Sequence, residues 1–212
     1  MKKIERTIAK HLLQIKAIKL EPAKPFLWAS GWKSPIYCDN RLVLSFPETR
    51  NLVAGSFCEL IHSHFPDVTM ITGVATGAIA HGMLVADRLD LPFSYVRTAP
   101  KAHGLEGMIE GQVKNDDRVV VIEDLVSTGR SSLAAVSALR EAGCEILGMA
   151  AIFTYGFDVA SESFRKNNCK LQSLTNYHTL IEVAREMKLV DPEDLGTLNN
   201  WRQDPAHWGD IT

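Results

Sequence analysis

The sequence predicts an α/β fold, a parallel sheet flanked by helices, with a small appendage at the N-terminal end. Three observations carry this expectation. From Val68 onward, short β-branched apolar runs alternate with helically periodic segments, the pattern of parallel strands joined by helical crossovers. The segment Pro25 to Leu44, rich in aromatic and turn residues, lies outside that alternation. The chain has 212 residues, 46% of them hydrophobic, enough for one sizeable core and too few to favour two independent domains.

Ile4, Ile8, Leu12 and Ile15 recur at helical spacing, and the pattern stops before Glu21-Pro22, where proline removes a backbone donor and disfavours helix in its predecessor. Phe26, Trp28, Gly31, Trp32, Pro35 and Tyr37 mix strand formers with turn residues, which reads as a short hairpin or two small strands. After Pro47, Leu52, Phe57, Leu60 and Ile61 mark a helix that ends near His64-Phe65-Pro66. The alternating part follows: strand 68–74, helix 78–88, strand 93–96, strand 119–122, helix 131–142, strand 146–153, helix 158–167, strand 171–174 and helix 177–187. The tail from Asp191 reads as irregular, yet Trp201 and Trp208 make it aromatic enough to be docked.

Basic and acidic residues nearly cancel, 23 against 25, so no strong field favours nucleic acid or an anionic membrane, and any anionic ligand must be held by local groups. No stretch reaches the roughly 18 apolar residues of a membrane span, and the opening Met1-Lys2-Lys3-Ile4-Glu5 leads into an amphipathic pattern rather than a signal peptide. A cytoplasmic protein is expected. Cys38, Cys58, Cys144 and Cys169 form no Cys-x-x-Cys pair, which argues against a zinc site or a disulfide framework. The scattered histidines, His11, His62, His64, His81, His178 and His207, show no metal-cluster spacing and read as surface or packed residues.

The most informative stretch runs from Val119 to Ser131, VVVIEDLVSTGRS. Its apolar half reads as a central parallel strand, and ligands of open α/β sheets bind beyond the carboxyl ends of such strands. Glu123 and Asp124 stand at that end. Ser127, Thr128 and Gly129 then open a helix, presenting hydroxyls, backbone amides and the positive end of a helix dipole to an anion such as a phosphate monoester. Two adjacent acids beside a phosphate cradle suit a ligand that also brings hydroxyl donors and a metal, as a ribose 5-phosphate does. A solvated acidic strand end followed by an ordinary helix cap is the plainer alternative.

Two further segments carry less on their own. Thr72-Gly73-Val74-Ala75-Thr76-Gly77-Ala78 is a small-residue turn between strand and helix, suited either to amide contacts with oxyanions or simply to close packing. Between Arg97 and Arg118 lie about twenty residues with little periodic pattern, a length usually seen in working lids. Arg97, Lys101 and His103 give that loop three cations to close over a leaving group, though a solvated loop with incidental charge is also consistent.

Glu123 to Ser131 resembles the phosphoribosyl pyrophosphate signature of the type I phosphoribosyltransferases. The resemblance implies that family's fold, a parallel sheet flanked by helices with an N-terminal hood. It also implies that Glu123 and Asp124 contact ribose hydroxyls, with Asp124 in a catalytic role, while Ser127, Thr128, Gly129, Arg130 and Ser131 wrap the 5-phosphate and Leu125 and Val126 also belong to the cosubstrate site. Thr72 to Ala78 resembles the family's pyrophosphate loop, which assigns Ala75, Thr76 and Gly77 to the cosubstrate. Tyr95 to Gly104 resembles the catalytic loop of orotate phosphoribosyltransferases, which implies catalytic Lys101 and His103, a binding role for Arg97, and a homodimer whose loop serves the neighbouring subunit's site. Ser30 to Arg41 resembles that branch's hood and points at orotate as the base.

On this resemblance the chain is one domain, 1–212, with the hood mainly in 1–66, room for a C-terminal contribution, and the core in about 67–175. Magnesium is the implied cofactor, organised by Glu123 and Asp124 through water or ribose oxygens without a direct protein ligand. The sequence departs from the family pattern at Ala29 and Thr98, where some members carry lysine, and at Tyr155, near which many carry arginine. The group that holds the orotate carboxylate therefore stays open among Lys33, Arg41 and the amides near Ser30 and Gly31, with Ser127 and Tyr37 also assigned to the base. Two other functions remain: transfer to a different base, and a non-catalytic sensor of phosphoribosyl pyrophosphate.

Overall fold

The computed structural model describes residues 2–28, 31–97 and 107–208. Helix α1 (Lys2–Gln14) buries Ile8, Ala9, Leu12 and Leu13 on one face, as the spacing predicts. Four short strands follow: β1 (Ile18–Leu20), β2 (Phe26–Leu27), β3 (Lys33–Ser34) and β4 (Ile36–Cys38). β2 and β3 form the expected hairpin, and β4 turns back to pair antiparallel with β1. A 3-10 turn (Asn40–Ser45) leads into α2 (Pro47–His64), where Pro47 occupies a first-turn position at which a missing N–H costs nothing.

The alternating part forms β5 (Met70–Val74), α3 (Ile79–Leu89), β6 (Phe93–Val96), β7 (Ile109–Glu110), β8 (Arg118–Val126), α4 (Arg130–Glu141), β9 (Glu145–Thr154), α5 (Asp158–Lys166), β10 (Leu171–Asn176) and α6 (Tyr177–Glu186). Its strands make one sheet in the order β10-β9-β8-β5-β6-β7. The first five are mutually parallel and β7 is antiparallel to β6, so the predicted parallel sheet carries one short antiparallel edge. Two residues are too few for a periodic signal, which is why β7 was not expected.

Along β8 burial alternates between the two faces. Val120 and Ile122 join a core with α1, α2, α3 and α6, while Val119 and Val121 join a second core with α4 and α5. A strand buried on both faces has no polar side, hence the continuous β-branched run. The tail is not irregular: α7 (Asp194–Gln203) docks through Leu198 and Trp201, both fully buried. No helix among the described residues is long and apolar enough to cross a membrane, and the four cysteines are free.

Candidate active site

β5 leads outward to β6 on one side, and β8 to β9 and β10 on the other, so the strand order reverses between β5 and β8. Loops leaving the carboxyl ends at such a reversal diverge and leave a crevice. The register pairs Gly73 with Ile122, which puts the turn after Val74 level with Glu123 and Asp124.

The two acids take different environments. Glu123 is 4% exposed; it accepts a hydrogen bond from Ser132 Oγ (2.8 Å) at one oxygen and from the Asp124 backbone N–H (3.1 Å) at the other. Burial, reinforced by the neighbouring Asp124 carboxylate and opposed by the Ser132 hydrogen bond, raises its pKa well above the usual carboxylate range. Asp124 is half-buried and its carboxylate lies directly over Gly77: a Cβ built there would stand 2.3 Å from Asp124 Oδ2. The bare Cα of Gly77 is what allows the acid and the Ala75-Thr76-Gly77 turn to approach so closely.

Beyond Asp124, Leu125 and Val126 still belong to β8, and the Val126 side chain is wholly buried. Ser127 and Thr128 are half-buried in the turn, and Gly129 caps α4 with φ +81°, in the left-handed region. Its Cβ would meet the Phe164 ring at 2.8 Å, so both conformation and space require glycine. Arg130 and Ser131 are exposed on the first turn of α4. Strand, hydroxyl turn and helix start thus follow one another as the sequence predicts, with the first N–H groups of α4 beside the turn.

The N-terminal strands reach the crevice through Asn40, which is 1% exposed. Its Nδ2 donates to the Asp124 backbone carbonyl (2.6 Å), and its backbone carbonyl lies 3.3 Å from His81 Nε2 on α3, a contact that requires the proton on that nitrogen. Burial lowers the His81 pKa, against the opposing pull of the Asn40 carbonyl and Asp124. Cys38 sits alongside, its thiol pKa raised well above the ordinary value by burial and then by Asp124. Neither Asn40 nor His81 stands out in the sequence. Nothing local in a lone asparagine or histidine reveals a partner on another element.

The other expected residues are spread around this centre. Arg41 forms a two-pronged ion pair with Asp39 (2.7 and 2.9 Å), which lowers the Asp39 pKa and raises that of the guanidinium. Tyr37 is partly exposed, with its ring against Phe26, and the Gly31 N–H donates to the Trp28 carbonyl. Arg97 follows β6, its N–H donating to the Met108 carbonyl and its guanidinium 3.5 Å from Glu110. Tyr155 is 1% exposed, inside an aromatic cluster. Ala29, Ser30, Thr98, Lys101 and His103 lie outside the described residues.

No group of three His, Cys, Asp or Glu side chains gathers among the described residues. The arrangement does fit a divalent cation held mainly by a ligand's own oxygens, with Asp124 as the available carboxylate, which is how magnesium is commonly bound.

A crevice at a strand-order reversal, with an acid between a small-residue loop and a hydroxyl-rich helix start, is the arrangement expected of a binder of phosphorylated sugars. A family model described as phosphoribosyl transferase domain matches residues 52–188, which take in both loops and the cradle. The orotate phosphoribosyltransferase of Bacteroides thetaiotaomicron is 57% identical over 98% of both chains, and that of Bacillus pumilus 55% identical over 94% of both. The crystal structure of orotate phosphoribosyltransferase from Aeropyrum pernix superposes with a TM-score of 0.75 at 26% identity, covering 87% of this chain and 99% of that one. The chain belongs to the phosphoribosyl transferase family and, within it, to the orotate phosphoribosyltransferases.

Proposed function

We propose that this protein transfers the 5-phosphoribosyl group of phosphoribosyl pyrophosphate to orotate, giving orotidine 5-phosphate and pyrophosphate for pyrimidine (UMP) synthesis. The observation that carries this is the position of Asp124, over Gly77 on one side and at the head of the cradle on the other. The 5-phosphate sits on 127–131, the ribose against Asp124, and the pyrophosphate at Ala75-Thr76-Gly77 with Arg97. Glu123 supports Asp124 from beneath and reaches a ribose hydroxyl only if its contact with Ser132 opens.

The base lies under the hood, residues 1–66, against a core of about 67–175. Ser30, Gly31, Tyr37, Arg41 and Ser127 are the candidates for holding it. In the reaction the bond from the anomeric carbon to the pyrophosphate oxygen breaks and a carbon–nitrogen bond to orotate forms. Positive charge builds on the ribose and negative charge on the leaving group. Asp124 stabilises the first, and Lys101 and His103 stabilise or protonate the second, so no enzyme nucleophile is needed. Magnesium, when bound, neutralises pyrophosphate charge. Asp124 and substrate oxygens would hold it.

We place the enzyme in the cytoplasm as a homodimer, with the loop carrying Lys101 and His103 closing over the partner's site. Lys101→Ala is expected to lower turnover by about 100-fold or more while leaving cosubstrate binding within a few-fold, as read by steady-state kinetics and equilibrium binding of phosphoribosyl pyrophosphate. Unchanged turnover would remove the loop from the mechanism.

A further inference from the structure

The C-terminal helix meets the hood at a single tryptophan. Trp28 follows the hood strand β2, and its backbone N–H donates to the Trp32 carbonyl (2.9 Å) while its carbonyl accepts from the Gly31 N–H (2.9 Å). Its indole N–H donates to the Ile36 carbonyl (3.1 Å), tying the turn to β4. The ring faces two aromatic groups from outside the hood: Tyr155 at 5.2 Å and, edge-on, Trp201 of α7 at 5.6 Å.

Trp201 is the hub of that contact. It is fully buried and packs against Tyr155, Phe157 and Tyr177 as well as Trp28, with ring centroids at 5.5 to 5.6 Å. Its indole N–H has no hydrogen-bond partner among the described residues. A smaller apolar ring would fill a plain core position without stranding a donor. What the indole adds is reach to Trp28.

The next residue fixes the other side of the joint. Arg202 donates to the carbonyls of Tyr155 (3.2 Å) and Gly156 (2.6 Å), immediately past β9, while the Tyr155 N–H donates to the Val126 carbonyl (3.2 Å) at the end of β8. Tyr177 closes the ring of contacts by donating its hydroxyl to the Leu198 carbonyl on α7 (3.0 Å). A continuous packed path therefore runs from the carboxyl ends of β8 and β9, through Tyr155 and Trp201, to the turn of the hood.

We propose that Trp201 and Arg202 are positioning residues for the base: α7 fixes Trp28 against Tyr155 and thereby sets the hood turn at the height that orotate requires. This rests on the reading of the hood as the base-binding element. The joint bears on the phosphate cradle through the backbone hydrogen bond from the Tyr155 N–H to the Val126 carbonyl, just before the turn at 127–131. Loosening the joint weakens orotate binding more than cosubstrate binding.

The test compares Trp201→Leu, Arg202→Ala and Trp28→Leu, alone and as the double variant W28L/W201L, by KM for each substrate, kcat and thermal unfolding. Trp201→Leu and Trp28→Leu are each expected to raise KM for orotate about tenfold, with KM for phosphoribosyl pyrophosphate within about twofold, and the double variant to add little to either. Trp201→Phe, whose smaller ring falls short of Trp28, should recover little of the loss. Arg202→Ala, which removes no core volume, keeps the test alive if Trp201→Leu does not fold, and should raise the orotate KM by several-fold. If only Trp28→Leu moves the orotate KM, the role of α7 is overturned while the hood still binds the base. If none of the three moves it, the hood reading falls as well. A drop in melting temperature with both KM values unchanged would show Trp201 to be core filling and nothing more.

Discussion

At the scale of single residues, the site depends on what is missing at Gly77. A methyl group there would occupy the space of the Asp124 carboxylate, so Gly77→Ala is expected to displace the acid while the sheet stays intact. A displacement of about an ångström at a reacting centre can cost about 100-fold, and kinetics on a variant with unchanged unfolding should show a loss of that order in kcat; parent-like turnover would mean that Asp124 need not stand where it does. Glu123 makes a prediction about pH. Its folded-state pKa is raised by burial, so its stabilising contribution is full below the unfolded carboxylate value of about 4.3 and is lost as pH rises through the folded value. Glu123→Gln should therefore gain stability relative to the parent as pH rises above the unfolded carboxylate value, as read by urea unfolding, and parallel pH dependences would show that Glu123 does not titrate as a buried acid. The adjacent pair was legible in the sequence, but its split was not. Which acid faces Ser132 and which faces Gly77 depends on residues far along the chain.

At the scale of elements, the buried parallel strands were the most legible part because a strand covered on both faces has to be a run of apolar residues. β8 is longer than its apolar run because Glu123 and Asp124 continue the ladder to Val126. α7 was missed for the opposite reason: DLGTLNNWRQ contains Gly196, Asn199 and Asn200, poor helix formers, and buries only two side chains, so neither propensity nor period announces it. Its helix exists because Trp201 finds a pocket, which is tertiary information. α1 is the contrasting case, an amphipathic helix lying on α6 and β10. Leu12, fully buried there, should cost about 2–5 kcal/mol of stability when replaced by alanine, with both substrate KM values unchanged. A shift in either KM would mean that α1 influences the site.

At the scale of the whole molecule, a net charge of -2 leaves no general attraction for a highly anionic cosubstrate, so under the proposed function binding falls to the cradle, the Gly77 loop and the cations between Arg97 and His103. If that loop serves the neighbouring site, mixing an inactive Lys101 variant with an inactive Asp124 variant should restore activity in hybrid dimers, and none should return after confirmed subunit exchange if each chain works alone. The most direct measurement is the loss of orotate absorbance with purified protein, magnesium and phosphoribosyl pyrophosphate, beside uracil, adenine, hypoxanthine and guanine followed by product chromatography. Rapid, magnesium-dependent conversion of orotate alone is the expected result, and it would also show that the hood works without lysine at Ala29 or arginine at Tyr155. Conversion of a different base would contradict the assignment of orotate, and tight cosubstrate binding with no turnover of any base would make the protein a sensor.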